Sequence, residues 1–303
     1  MSGRPMARRA PSVLFGGATT ALASAVLVIV SAIAVVLTID ALPSIRRFGL
    51  EFWSGTVWDP VTQDFGALPF IWGTLYSSCL AIILAAPIAL GSAVFIAEFA
   101  PPWLGQPLVF LIELLAAIPS IVYGLWGIFV LVPDIRRLEL ALPDALRQSP
   151  FFSGPPLGLG LLSAALLLAI MVIPFTASVA REVLRAVPLA QREAAYALGA
   201  TPFEAVRAAL HYARSGIAGA VMLGLGRALG ETMAVAMVIG NTPKISLSIV
   251  QPQYTMAAVI ANEFTEAAQP LYLSALVEIG LVLFAVTLVI NALSRLLIWS
   301  MTR

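Results

Sequence analysis

Six runs of mainly apolar residues dominate this chain: roughly Gly16–Ile39, Phe70–Ala97, Leu104–Val132, Leu157–Ala180, Ile217–Gly240 and Leu271–Ile298. A helix needs about 20 such residues to cross the hydrocarbon of a bilayer, and a barrel strand about half as many. Only helices and closed barrels satisfy their own backbone groups in lipid, and these runs are too long for barrel strands. The expected fold is therefore an all-α membrane protein with six transmembrane helices. Composition agrees, since 60% of the 303 residues are hydrophobic and only 11% are charged, too few charges for a water-soluble globule. The second run is long enough to tilt, or to bend at Pro87.

The runs divide the chain into a short N-terminal segment (1–15), a first helix (16–39), an outer segment (40–69), a five-helix core (70–298) containing an inner loop (181–215), and a short tail (299–303). Arg4, Arg8 and Arg9 precede the first run, but it is longer than a secretory-signal core and no small-residue cleavage site follows it. It reads as a retained anchor. Basic residues set orientation. With both termini in the cytoplasm, Arg4, Arg8, Arg9, Arg181, Arg185, Arg192, Arg207, Arg214, Arg295 and Arg303 fall inside. Arg46, Arg47, Arg136, Arg137, Arg147 and Lys244 fall outside. The outer segments 40–69, 133–156 and 241–270 are rich in Pro, Gly and Trp and are expected to form ordered caps.

Several functions are excluded. One cysteine, Cys79, and one histidine, His211, allow no disulfide within the chain and argue against a Cys/His metal site; no cofactor is expected. The arginines are scattered and form no nucleic-acid patch. An intramembrane enzyme would need a nucleophile with its base, or clustered metal ligands, and neither pattern occurs. No P-loop is present, so any ATP must be handled by another chain.

The inner loop is the most legible segment. Pro188 suits a helix start, Leu189 to Leu198 are good helix formers, and Gly199 is a natural left-handed stop. Thr201, with Pro202 next and Glu204 three residues on, caps a second helix through a capping box. Two short helices joined at a glycine must change direction, so the loop is expected to protrude as a stiff knob. The competing reading is an ordinary interfacial helical hairpin.

Charges inside apolar runs are the second constraint. Each costs roughly 2.5–3.5 kcal/mol at a helix centre, so such residues face a bundle interior or an aqueous path. Arg227 and Glu231 are four apart in the fifth run and are expected to pair on one helix face. Gly226 and Gly230 share that spacing and permit close helix approach. On one reading the pair only fixes packing. On the other, Arg227 offers a fixed charge to a passing oxyanion, which a planar guanidinium suits, and Glu231 holds that charge when no anion is present. Glu113 and Glu278 are further buried acids, expected to pair with Arg227 or line a polar cavity.

Glu193-Ala194-Ala195, three residues, then Gly199 resembles the EAA loop of permease subunits of ABC importers. That resemblance implies a type I permease fold in which the loop is a cytoplasmic coupling helix docking on an ATP-binding subunit. Arg192, Glu193, Ala194, Ala195, Tyr196 and Gly199 are the implied docking residues. Ile118 to Gly127 and Gly226 to Ala234 resemble segments of the permeases of phosphate-specific ABC importers. Trp58-Asp59-Pro60, Phe65 to Phe70 and Ala261-Asn262-Glu263-Phe264 favour the C-type over its A-type paralogue. The similarity runs from about Trp53 to the C-terminus. It implies a heterodimer with the A-type permease, two ATP-binding subunits, an extracytoplasmic phosphate-binding protein, and a bacterial inner-membrane location. The pathway residues expected on this reading are Arg227, Glu231, Glu113 and Glu278. A permease for another oxyanion, such as sulfate or molybdate, and a secondary transporter without an ATPase remain open from the residues themselves.

Overall fold

The computed structural model describes the backbone of residues 9–302; Arg4, Arg8 and Arg303, placed inside by the charge argument, lie outside the described residues. Helix α1 (Arg9–Asp40) leads into α2 (Leu42–Phe48), α3 (Glu51–Ser54) and a small antiparallel hairpin, β1 (Trp58–Asp59) with β2 (Asp64–Phe65), in which Trp58 faces Phe65. Helix α4 (Leu68–Val94) contains Pro87 and ends in a π-helical turn, Phe95–Phe99. Then come α5 (Pro102–Ala117), α6 (Ser120–Trp126), a second π turn (Gly127–Leu131), α7 (Val132–Ala141) and α8 (Asp144–Arg147). Helix α9 (Leu161–Arg185) precedes the knob helices α10 (Leu189–Ala197) and α11 (Pro202–Tyr212). The remainder is α12 (Arg214–Leu229), α13 (Met233–Val238), α14 (Met256–Glu263) and α15 (Pro270–Thr302).

The centre of the bundle is the pairing of α4 with α9. Ala81, Ala85, Ala89 and Ala93 recur every four residues on α4 and are fully buried, a ridge of small side chains that lets a second backbone come close. The apolar core is built in three blocks along this pair. One block at the cap end gathers Phe52, Phe65, Phe70, Tyr254, Met256 and Leu276. A middle block holds Tyr123, Leu167, Leu168, Val172, Val235 and Ile239. A third, beside the knob, holds Leu184, Val187, Ala209 and Ala213.

Among the described residues, four helices are long and apolar enough to cross a membrane: Phe15–Asp40, Leu68–Phe99, Leu161–Arg185 and Pro270–Ser300. The third expected run is not one straight helix. Pro102–Ala117 and Ser120–Ala141 meet at 89°, and counting this bent pair as a span gives five. The break follows from Pro119, which cannot donate a backbone N–H and forces Ile118 into an extended conformation, with ψ 128°.

The fifth run is also interrupted. α12 ends at Leu229 and α13 begins at Met233, so Gly230 to Thr232 leave the helix. α12 alone is too short to span, yet α12 and α13 together run along the length of α9. Gly216 packs on Val183, Gly224 packs on Val172 and Thr176, and the Val238 carbonyl accepts from Gly160 N–H. The boundary of the inner loop also shifts: α9 continues to Arg185, so Arg181 and Arg185 belong to its last turns.

The cap end is ordered by a shared carboxylate. Glu263 on α14 accepts from the Trp58 indole N–H at 2.8 Å and the Tyr272 hydroxyl at 2.6 Å. Trp58 in turn packs edge-on against Phe65 and Phe70. The Trp58 and Glu263 segments, far apart in the chain, thus form one structure.

Candidate functional site: two broken helices and a protruding knob

The two interrupted helices meet near their breaks. α6 crosses α13 at Gly124, where a Cβ would stand 3.2 Å from the Ala234 Cα. Tyr123, beside it, donates its hydroxyl to the Leu115 carbonyl at 2.9 Å, tying α6 back to α5 across the bend. The Arg227 guanidinium is within electrostatic reach of that hydroxyl. Non-helical backbone at membrane depth survives only where protein or water satisfies it, and broken helices that converge place free backbone dipoles at one spot. The segments Ile118–Gly127 and Gly226–Ala234 are therefore spatial neighbours.

Arg227 and Glu231 do not pair. The expected i,i+4 contact requires a continuous helix, and the chain leaves the helix between them. The Arg227 guanidinium lies 5.8 Å over the Phe175 ring and has no carboxylate partner among the described residues. A cation over an aromatic face retains some attraction while leaving its N–H donors free. Arg227 is exposed on the isolated chain. Glu231 instead accepts the Ala234 N–H at 3.4 Å, satisfying one of the unpaired donors that open α13.

The other two acids stand elsewhere. Glu113 is exposed on α5 and, with Gln106, Arg181 and Arg185, lines a cavity of about 460 Å³ nearer the knob. It makes no ion pair with Arg227. Glu278 is 2% exposed on α15, one turn beyond Ser274 and close to Ser44. Ser274 accepts from the Ser44 N–H and donates to the Asp40 carbonyl, so Glu278 sits at the junction of α1, α2 and α15, apart from Arg227. The four acidic and basic residues expected along one path occupy three places.

The knob folds as its residues dictate. Gly199 has φ +84°; its N–H donates to the Tyr196 carbonyl at 2.9 Å, and Ala200 N–H donates to the Ala195 carbonyl at 3.1 Å, the paired bonds of a Schellman stop. Thr201 accepts from Glu204 N–H at 3.4 Å, and Glu204 accepts from Thr201 N–H at 2.8 Å, completing the capping box. The Thr201 backbone N–H and the Thr201 hydroxyl both donate to the Glu204 carboxylate and hold it below the usual glutamate range.

Glu193, Ala194, Tyr196 and Gly199 are exposed, Ala195 is half-buried, and the apolar Leu189, Leu198 and Phe203 are exposed beside them. The sequence reading did not single out those last three; leucines and a phenylalanine on a loop between spans were the available signal. Arg192 faces the other way, with only 18% of its side chain exposed, and pairs with Glu98.

A membrane bundle with two converging broken helices and a rigid helical pair projecting from one end belongs with transport permeases. Residues 85–303 match the family described as binding-protein-dependent transport system inner membrane component, and the chain belongs to that family of multi-pass inner-membrane proteins. Among its relatives, the phosphate transport system permease protein PstC of Haemophilus influenzae is 48% identical over 294 residues, covering 95% of this chain and 93% of that protein. The PstC protein of Mesorhizobium japonicum is 44% identical, covering 93% and 88%. A probable PstC of the archaeon Methanocaldococcus jannaschii is 39% identical, covering 83% and 82%. The fold is shared with a chain of the MetNI methionine ABC transporter in inward-facing conformations, with a TM-score of 0.60 at 18% identity, covering 82% of this chain and all of that one.

Proposed function

We propose that this chain is the C-type permease subunit of an ATP-driven importer of inorganic phosphate. The observation that carries the reading is the near end-to-end similarity to phosphate permeases, taken with a free guanidinium beside two converging helix breaks. A guanidinium facing hydrocarbon is costly. Its exposure on the isolated chain argues that a second permease covers this face and that the covered space is aqueous. The A-type paralogue fits that place, as a heterodimer partner. Oxygen atoms of a phosphate would meet the free N–H donors of Arg227 in pairs.

The knob end is cytoplasmic on this reading. Arg181, Arg185, Arg192, Arg207, Arg214 and Arg295 lie there, in accord with the positive-inside rule. Glu193, Tyr196, Leu198 and Phe203 form the face that docks on one of two ATP-binding subunits, which hydrolyse ATP on the permease's behalf. At the opposite end the ordered cap receives a phosphate-binding protein. Closure of the ATPases displaces the knob, the spans rock about the packed α4–α9 pair, and access to Arg227 alternates between the two sides.

Reconstitution tests this directly. The chain, its companion permease, the ATP-binding subunits and the binding protein are placed in liposomes, and ATP-dependent uptake of labelled phosphate is followed with sulfate and molybdate as competitors. Uptake that is blocked by unlabelled phosphate alone is expected. Preferential uptake of another oxyanion, or full uptake without the ATP-binding subunits, would overturn the reading.

A further inference from the structure

α10 protrudes and buries none of its residues, so the question is what holds it to the membrane helices. Among the described residues, Arg192 is the α10 side chain that hydrogen-bonds to them. Its guanidinium grips both oxygens of Glu98, Nε at 3.1 Å from one and Nη2 at 2.5 Å from the other. It also donates to the Leu184 carbonyl at 3.0 Å and the Val187 carbonyl at 2.9 Å. One rigid side chain therefore joins three elements: α10, the end of α4 and the end of α9.

Each partner is suited to this joint. The carbonyls at the C-terminal end of α9 lack helical donors and carry the negative pole of the helix dipole, which a cation satisfies. The Glu98 side chain is 9% exposed, and a carboxylate so enclosed needs the paired donors that arginine supplies. Glu98 lies within the π turn Phe95–Phe99. The extra residue of a π turn shifts helix phase by about 100°, and here it accompanies the turning of Glu98 toward Arg192. The sequence resemblance implies that Arg192 belongs to the docking face, and Glu98 directly follows the second apolar run, Phe70–Ala97. Their geometry points inward for both.

We infer that Arg192 and Glu98 form the joint through which displacement of α10 is passed to α4 and α9, with both acting as positioning residues and neither as a contact to the ATPase. This inference rests on the transport reading above. A bidentate guanidinium–carboxylate pair resists both sliding and rotation, which a single point contact does not. Without the pair, α10 would keep α11 and the Arg192 bonds to the Leu184 and Val187 carbonyls at the end of α9, but would lose its tie to Glu98 at the end of α4.

The test is the ratio of phosphate imported to ATP hydrolysed in the reconstituted complex. In E98Q, the ratio is expected to fall by about tenfold or more, the factor expected for losing one charge-assisted hydrogen bond, while the amount of assembled complex is unchanged. The charge-swapped pair E98R/R192E is expected to recover part of the ratio lost in either single variant, with the amount of assembled complex again unchanged. A ratio that falls only where assembly falls would assign the pair to local folding and overturn the joint. Should E98Q fail to assemble, E98D keeps the charge but withdraws the carboxylate by one methylene, and a lowered ratio is again expected. A wild-type ratio in whichever of these variants assembles would overturn the joint. A wild-type complex that imports no phosphate with ATP would instead sink the transport reading, so the two failures are distinct.

Discussion

Gly124 of α6 lies so close to α13 that a β-carbon there would stand 2.5 Å from the Met237 sulfur and 3.2 Å from the Ala234 Cα. The sulfur is at the end of a flexible side chain and can yield; the Cα is backbone and cannot. Gly124→Val is therefore expected to destabilise the assembled complex by about 1–3 kcal/mol, the usual cost of overpacking. Gly124→Ala should cost less, and part of its cost should be recovered by Met237→Ala. Thermal unfolding midpoints of the solubilised complex check the order; equal midpoints for Gly124→Val and wild type would mean that the two broken helices do not hold each other.

Arg227 has an aromatic ring beneath it and, among the described residues, no carboxylate beside it. Arg227→Gln is expected to weaken phosphate transport roughly 10- to 150-fold, the equivalent of a lost charged hydrogen bond of about 1.5–3 kcal/mol, with normal yield of complex. Arg227→Lys should be intermediate, because an ammonium keeps the charge without the planar fork. Loss of the complex itself in both variants would assign Arg227 to packing.

Gly199 has nothing within 4 Å of the position its Cβ would occupy, but its φ is +84°. Substitutions there act through backbone strain alone, at about 1–2 kcal/mol for an ordinary side chain. Asparagine tolerates this conformation, and β-branched residues tolerate it worst. Phosphate-driven ATP turnover should therefore fall in the order Gly199→Asn, Gly199→Ala, Gly199→Val. Identical turnover in all three would detach the stop from coupling.

The capping box at Thr201 and Glu204 carries a pH dependence of known sign. Folding lowers the carboxyl pKa of Glu204 through the Thr201 backbone N–H and hydroxyl. Its contribution is therefore complete above the unfolded value of about 4.3 and is lost as pH falls from there through the lowered folded value. Amide exchange in the first turn of α11, corrected for intrinsic rates, should accelerate over that acidic window and stay flat above pH 6. Glu204→Gln should abolish the acid-dependent change; a change that persists in it would belong to another group.

The features legible in the sequence were those set by local rules. Gly199, Thr201, Pro202 and Glu204 determine the knob through backbone conformations and caps that need no tertiary contact, and apolar length alone marks α1, α4, α9 and α15. The breaks were harder. Pro119 carried a clear signal that length obscured, while Gly230 to Thr232 are compatible with a helix until α6 packs on α13. The Arg227–Glu231 pairing failed for the same reason, since four-residue spacing implies proximity only where the helix persists. Glu98 and Arg192 are 94 residues apart, and no periodicity relates them. The α4 alanine ridge, by contrast, was open to view as a four-residue repeat of small side chains and went unread amid the surrounding apolar residues.

The bare face around Arg227 has a consequence for how this chain must be made. On the proposed reading, a copy inserted without its companion holds a permanent cation against acyl chains, with no carboxylate among the described residues to neutralise it. On the proposed heterodimer reading, synthesis in excess of the companion leaves copies that carry this cost, and matched output of the two subunits becomes a requirement written into one side chain.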